Sequence, residues 1–212
     1  MNENQNIVLT WRGHSCFKIS CGDFSVVVDP YSDDTVPGFP QVRETANQVI
    51  CSHTHADHNS RESVTLVDEE KESPFTVIKV ACPHDDDCGR KRGMNLIHVF
   101  NNGTLRVAHF GDIGCPLGKE QLEAIGRLDA ALVPVGGHFT MEPDGIAALM
   151  RQMQPRVVVP MHYRSETFGY PVIGTLEDYL KFVEGDIVRY EGNTLTLTPE
   201  TPAQTAVLTY LG

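Results

Sequence analysis

Cys51-Ser52-His53-Thr54-His55-Ala56-Asp57-His58 brings three imidazoles and a carboxylate into six consecutive positions, His53 to His58. The residues just before, Gln48-Val49-Ile50-Cys51, are apolar and β-prone and read as a short buried strand that ends before His53. If the extended conformation persists briefly, His53 and His55 point to one side and can share an ion. Asp57 and His58 then turn toward a neighbouring position. Imidazole with carboxylate suits Zn²⁺, Mn²⁺ or Fe, and Zn²⁺ is the commonest hydrolytic choice. A single ion held by a subset of the four side chains is the alternative at this point.

Working outward, the same arrangement recurs. Apolar, β-rich runs end at Val28 before Asp29, at Val80 before His84, at Phe110 before Asp112 and at Val159 before His162. Polar groups at the ends of rigid strands are what a preorganised site requires, so the five strand ends are expected to converge. A β-meander is predicted over Ile7 to Trp11, Ser15 to Ser20 and Phe24 to Val28, with a turn at Cys21-Gly22-Asp23. A hairpin is predicted about Asn102-Gly103. Asn59 to Ser73 reads as a short helix and a loop. Helices are predicted over Lys119 to Leu128, after a cap at Asp144, and after Thr175, where Asp178 completes a capping box. β-segments close the chain.

The 212 residues suffice for one α/β domain over 1–212 with one core. A formal charge of −11 repels polyanions at long range and argues against nucleic acid as a partner, while a metal could still attract a small anion. No apolar run reaches the length of a membrane span, and Met1 to Asn6 lacks the pattern of a signal peptide, so a cytoplasmic location is expected. The six cysteines, Cys16, Cys21, Cys51, Cys82, Cys88 and Cys115, show no disulfide framework and read as reduced thiols. Cys82 and Cys88 flank His84, and a thiolate zinc site there is a minor alternative. Self-association is left open.

His53, His55, Asp57 and His58 meet in full the pattern His-x-His-x-Asp-His of the metallo-β-lactamase superfamily, which the chain resembles over nearly its whole length. The resemblance implies a four-layer αβ/βα sandwich of the α/β (α+β) class, with the site at one edge of the sheets. It implies that His53, His55 and His84 bind one metal, that Asp57, His58 and His162 bind a second, and that Asp112 bridges them. Trp11 to Phe17, Asp29-Pro30, Val135 to Met141 and Val159 to Tyr163 are similar to the branch containing L-ascorbate-6-phosphate lactonase, N-acylphosphatidylethanolamine phospholipase D and many small metal-dependent hydrolases. Flavodiiron proteins usually carry Glu where His55 stands. His84 lies in Pro-His-Asp-Asp, unlike the Gly-His-[Ser/Thr]-x-Gly motif of glyoxalase II and the true β-lactamases.

The implied activity is hydrolysis of a small, anionic ester, lactone or phosphodiester. Its nucleophile would be a hydroxide bridging two ions, Zn²⁺ first and Mn²⁺ or Fe otherwise, about 3.5 to 4 Å apart. An Fe- or Mn-dependent oxidoreductase on the same ligands is the alternative. Asp57 is expected to orient the hydroxide, and His109, His138 and His14 are candidates for proton donation or for holding substrate oxygens, with support of a ligand as the alternative for each. His14 and Asp29 are expected to support ligands from behind. Arg92 and Arg164 are candidates to clamp an anionic group. Asp85-Asp86-Asp87 reads as a solvated loop or a supporting partner, and His98 as structural.

Overall fold

The computed structural model describes residues 5–67 and 71–211. The polar start Met1 to Asn4, residues 68–70 of the segment read as helix and loop, and Gly212 lie outside them.

Alternating apolar residues build the first sheet. β1 (Ile7–Trp11) and β2 (Phe17–Cys21) bury every second side chain, and β3 (Phe24–Val28) buries all but Ser25. With β5 (Gln48–Ile50) and β13 (Thr194–Leu197) they form a five-stranded sheet in the order β13-β1-β2-β3-β5. The meander is antiparallel through β3, and β5 then runs parallel to it. β4 (Glu44–Ala46) and β6 (Val64–Leu66) make a separate parallel pair.

The second sheet has seven strands in the order β12-β14-β11-β10-β9-β8-β7. β7 (Thr76–Pro83), β8 (Met94–Asn101) and β9 (Arg106–His109) are antiparallel. β10 (Ala130–Pro134), β11 (Val157–Met161), β14 (Gln204–Val207) and β12 (Ile187–Arg189) continue in parallel. β10 and β11 are buried at every residue, as central parallel strands covered on both faces must be.

α1 (Lys119–Ile125), α2 (Pro143–Met153) and α3 (Leu176–Leu180) are the α-helices of the described residues, and α1 lies against β7. α2 buries Ile146, Ala147, Leu149 and Met150, while Met153 is half-buried. Its cap is Glu142 rather than Asp144, because Pro143 begins the helix with its fixed φ and needs no N–H partner there. Thr175 and Asp178 form the predicted capping box. Between Asn59 and Val67 the expected helix is only a 3₁₀ turn over Arg61–Ser63, followed at once by β6. The αβ/βα sandwich is therefore present, and the α-helices of the described residues all lie in the C-terminal half of the chain. The two inner faces share one continuous apolar cluster running from Ile7 to Leu208. The six cysteines form no disulfide with one another.

Candidate metal centre

The aligned strand ends deliver the polar groups to one edge of the sandwich. Val28 is paired with Ile50, so Asp29 and the Cys51–His58 loop leave the first sheet side by side. His84 follows β7, Asp112 follows β9, and His162 follows β11. The backbone N–H of His162 donates to the His14 carbonyl at 3.2 Å and ties the two sheets together at this edge. His14, Asp29 and His162 have positive φ, of 48°, 50° and 54°. Left-handed backbone is unfavourable for such residues and persists only where the surroundings enforce it.

Three groups of donors result, and in one of them Asp29 is joined to His58 directly and to His53 through Ser52. One ligand atom each from His53, His55 and His84 lies within 4.8 Å of the others, and so do those of His14, Asp57, His58 and His162. Asp112 Oδ2 stands 3.4 Å from His84 Nε2 and 3.3 Å from the Nε2 atoms of both His58 and His162. The structure thus brings His53, His55, Asp57, His58, His84, Asp112 and His162 to one edge, with His14 beside them.

Ser52 orders this loop. Its backbone N–H donates to Asp29 Oδ1 at 2.6 Å and its hydroxyl to Asp29 Oδ2 at 2.6 Å. With that proton committed, Ser52 Oγ can only accept from His53 Nδ1, 2.9 Å away. His58 Nδ1 likewise donates to Asp29 Oδ2 at 2.9 Å, since a carboxylate only accepts. Both rings therefore carry a proton on Nδ1 and turn Nε2 inward, the nitrogen that metal-ligating histidines offer to an ion.

Asn95 does the same for Asp112. Its Nδ2 donates to the Phe110 carbonyl at 2.8 Å and its Oδ1 accepts from the Asp112 N–H at 2.9 Å. Gly111 between them has a φ of 53°, and a Cβ there would run into Asn95 and Ser52.

The charges at this edge are unbalanced. Asp29, Asp57 and Asp112 form ion pairs only with histidines among the described residues. Burial raises the Asp29 carboxyl, but His58, His109 and Ser52 hold it at about 2. Asp112 is likewise opposed by burial and held well below the carboxylate range by His162 and His58. Burial lowers His58, yet Asp112, Asp29 and Asp57 raise it well above its usual value. His53 falls to about 3, chiefly through burial, and His84 falls for the same reason.

A divalent cation fits these residues. His53 Nε2, His58 Nε2, Asp112 Oδ1 and both ring nitrogens of His14 and His162 are buried without a hydrogen-bond partner. Buried polar atoms of this kind are rare, and here they face one another.

The remaining predicted residues are sorted by position. Arg92 lines a cavity of about 300 Å³ with His55, Asp57, His84, Asp112, Phe139 and Tyr170, and its guanidinium lies 5.2 Å from the centre of the Phe139 ring. Arg164 does not line it, because its Nε donates to the Ile173 carbonyl at 2.7 Å. His109 is fully buried, with Nε2 on the Ser15 carbonyl and Nδ1 accepting from the Gly111 N–H, so neither nitrogen is left for proton transfer. His138 is exposed and packs on Phe139 outside the cavity lining.

Of the acidic run, Asp86 is exposed and pairs with Lys91, and Asp87 is half-buried and pairs with Arg90. Asp85 instead is only 2% exposed and accepts from the N–H groups of Asp87, Gly89, Lys91 and Arg92. Cys82 is buried against Asn95 and Cys88 is exposed, and neither joins His84 in a donor group. Ser52, Asn95, Phe139 and Tyr170 carried no sequence signal of their own, although Ser52 lies inside the motif and Phe139 follows His138.

Residues 8–162 match the model of the beta-lactamase superfamily domain. The chain belongs to the metallo-β-lactamase superfamily. Among superfamily proteins of known structure, one from Thermotoga maritima, described as a Zn-dependent hydrolase, superposes with a TM-score of 0.74. It is 26% identical, over 95% of this chain and 98% of that one. A "UPF0173 metal-dependent hydrolase" of Aeropyrum pernix is 25% identical over 83% of this chain and 89% of its own length. Another, from Thermoplasma acidophilum, is 27% identical over 76% and 85%. Within the superfamily this chain is a metal-dependent hydrolase.

Proposed function

We propose that this protein is a binuclear hydrolase, with Zn²⁺ the preferred ion, that cleaves a small anionic ester, lactone or phosphodiester. The observation that carries the reading is the position of Asp112. One oxygen, Oδ2, is within 3.4 Å of His84 Nε2 on one side and of His58 and His162 Nε2 on the other, so a single carboxylate reaches both donor groups. His53, His55 and His84 would hold one ion, Asp57, His58 and His162 the other, and Asp112 both. Bound there, the ions would supply a water with its pKa lowered toward neutrality and a Lewis acid for the scissile carbonyl or phosphoryl oxygen.

The chain's own residues supply the rest. Asp29 and Ser52 keep His53 and His58 in the ligating tautomer. Arg92, held over Phe139, presents a positive charge to an anionic group in the cavity. The Tyr170 hydroxyl donates to Asp57 Oδ2 at 3.4 Å, and burial together with Asp57 raises its pKa, so it stays protonated; with Asp57 engaged by an ion, that proton would turn to a substrate oxygen. Leaving-group assistance thus passes in this reading from His109 and His138 to Tyr170. The cavity of about 300 Å³ suits a small molecule. The charge of −11 disfavours nucleic acid. Free thiols support a cytoplasmic location, and no helix of the described residues is long and apolar enough to cross a membrane.

The test is a panel of small phosphodiesters, phosphate esters, lactones and carboxylic esters, assayed with chelator-stripped protein before and after Zn²⁺ or Mn²⁺ is restored. Turnover is expected only with metal and fastest on anionic members. Metal-replete protein inert across the panel would contradict the proposal.

A further inference from the structure

His14 is fully buried on the loop between β1 and β2, and neither of its ring nitrogens has a hydrogen-bond partner. Its backbone is pinned. The carbonyl accepts from Trp11 Nε1 at 2.9 Å and from the His162 N–H at 3.2 Å, and Gly13 before it has a φ of 100° where a Cβ would strike Phe39 and Tyr31. The left-handed backbone of His14 turns its ring into the site, with centroids 4.1 Å from His162 and 5.3 Å from His58, and Nε2 3.5 Å from Asp57 Oδ2. A donor atom of His14 lies within 4.8 Å of donors from Asp57, His58 and His162.

Three roles are open to such an imidazole. A proton donor must reach the substrate, but His14 has no exposure and does not line the cavity. A supporting imidazole would hold a ligand with one nitrogen and the protein with the other, whereas His14 Nδ1 has no partner and Nε2 meets only Asp57 Oδ2, at 3.5 Å. Burying an imidazole in that state is costly unless an ion takes up a lone pair.

We infer that His14 is a further protein ligand of the ion at Asp57, His58 and His162, closing that position, while the ion at His53, His55 and His84 keeps its open face toward the cavity. The inference rests on the two-ion reading above. It makes the centre asymmetric, because a position filled by protein donors behaves as a structural site and an open one as the site of chemistry. His55, exposed at the cavity, belongs to the open position. The buried ion should therefore be retained and the other exchanged.

The experiment compares the wild-type protein and His14→Gln by metal analysis after dialysis against graded chelator, and by proton NMR of the Co²⁺-substituted proteins. The wild type should lose its ions in two separate steps. His14→Gln should lose the more tightly held ion with a Kd raised by more than about 100-fold, beyond the 10- to 100-fold typical when an outer partner is removed. The wild-type Co²⁺ spectrum should show one hyperfine-shifted ring signal more than His53, His55, His58, His84 and His162 supply. That count holds even if the variant fails to fold. Equal retention by both proteins, or no signal beyond those five histidines, would overturn the role of His14 and leave the two-ion reading standing. Wild-type protein that takes up no metal at all would overturn both.

Discussion

Ser52 has one hydroxyl proton and two side-chain neighbours, Asp29 and His53, so the carboxylate's inability to donate decides where that proton goes. Replacing Ser52 with Ala removes the acceptor of His53 Nδ1–H and one of the donors to Asp29. Ser52→Ala is expected to weaken metal binding by about 10- to 100-fold in competition with a chromogenic chelator. Asp29→Asn should weaken it more, because an amide nitrogen would face either the Ser52 N–H or His58 Nδ1–H, a donor set against a donor. Unchanged affinity in both variants would show that the tautomers are not set from behind. The motif His53 to His58 was legible because ligand types and spacing both lie in one short stretch. Ser52 was not, since its role comes from Asp29, 23 residues away in sequence. His14 illustrates the same limit: its partners Asp57, His58 and His162 come from two other loops, and no local pattern distinguishes a ligand from a supporting residue.

At the scale of elements, the strand ends were the legible part, because period-two apolar runs stop where polar groups begin. β7 reaches Pro83 and β9 stops at His109, yet each still ends beside its ligand. The loop after His84 was less legible, since three consecutive aspartates look alike in sequence and only Asp85 turns inward. Its carboxylate gathers the N–H groups of Asp87, Gly89, Lys91 and Arg92 and so fixes the segment that carries Arg92 over Phe139. Although burial opposes it, these bonds hold the Asp85 carboxyl below its ordinary pKa, so it remains an acceptor at neutral pH. If the loop exists to place Arg92, Asp85→Ala and Arg92→Ala should both raise KM for an anionic substrate by about 10-fold or more, with kcat changed less. A raised KM in Arg92→Ala alone would separate the loop from substrate binding.

At the scale of the whole molecule, two sheets that meet along a shared apolar cluster act as a rigid frame for one edge. The first sheet contributes Asp29 and the His53–His58 loop, the second contributes His84, Asp112 and His162, and the bond from the His162 N–H to the His14 carbonyl joins them. The sandwich was legible from the motif and the order of the strand ends. The distribution of its helices was not, because the polar stretch after Asn59 has the composition of a helix but packs as a 3₁₀ turn and a strand beside β4. The central claim is that this edge holds two ions on either side of Asp112. Anomalous diffraction at the zinc absorption edge, on crystals of the Zn²⁺-replete protein, tests it most directly. The account predicts two peaks about 3.5 to 4 Å apart, one against His53, His55 and His84 and one against Asp57, His58 and His162, with Asp112 between them. A single peak, or none at these residues, would contradict it.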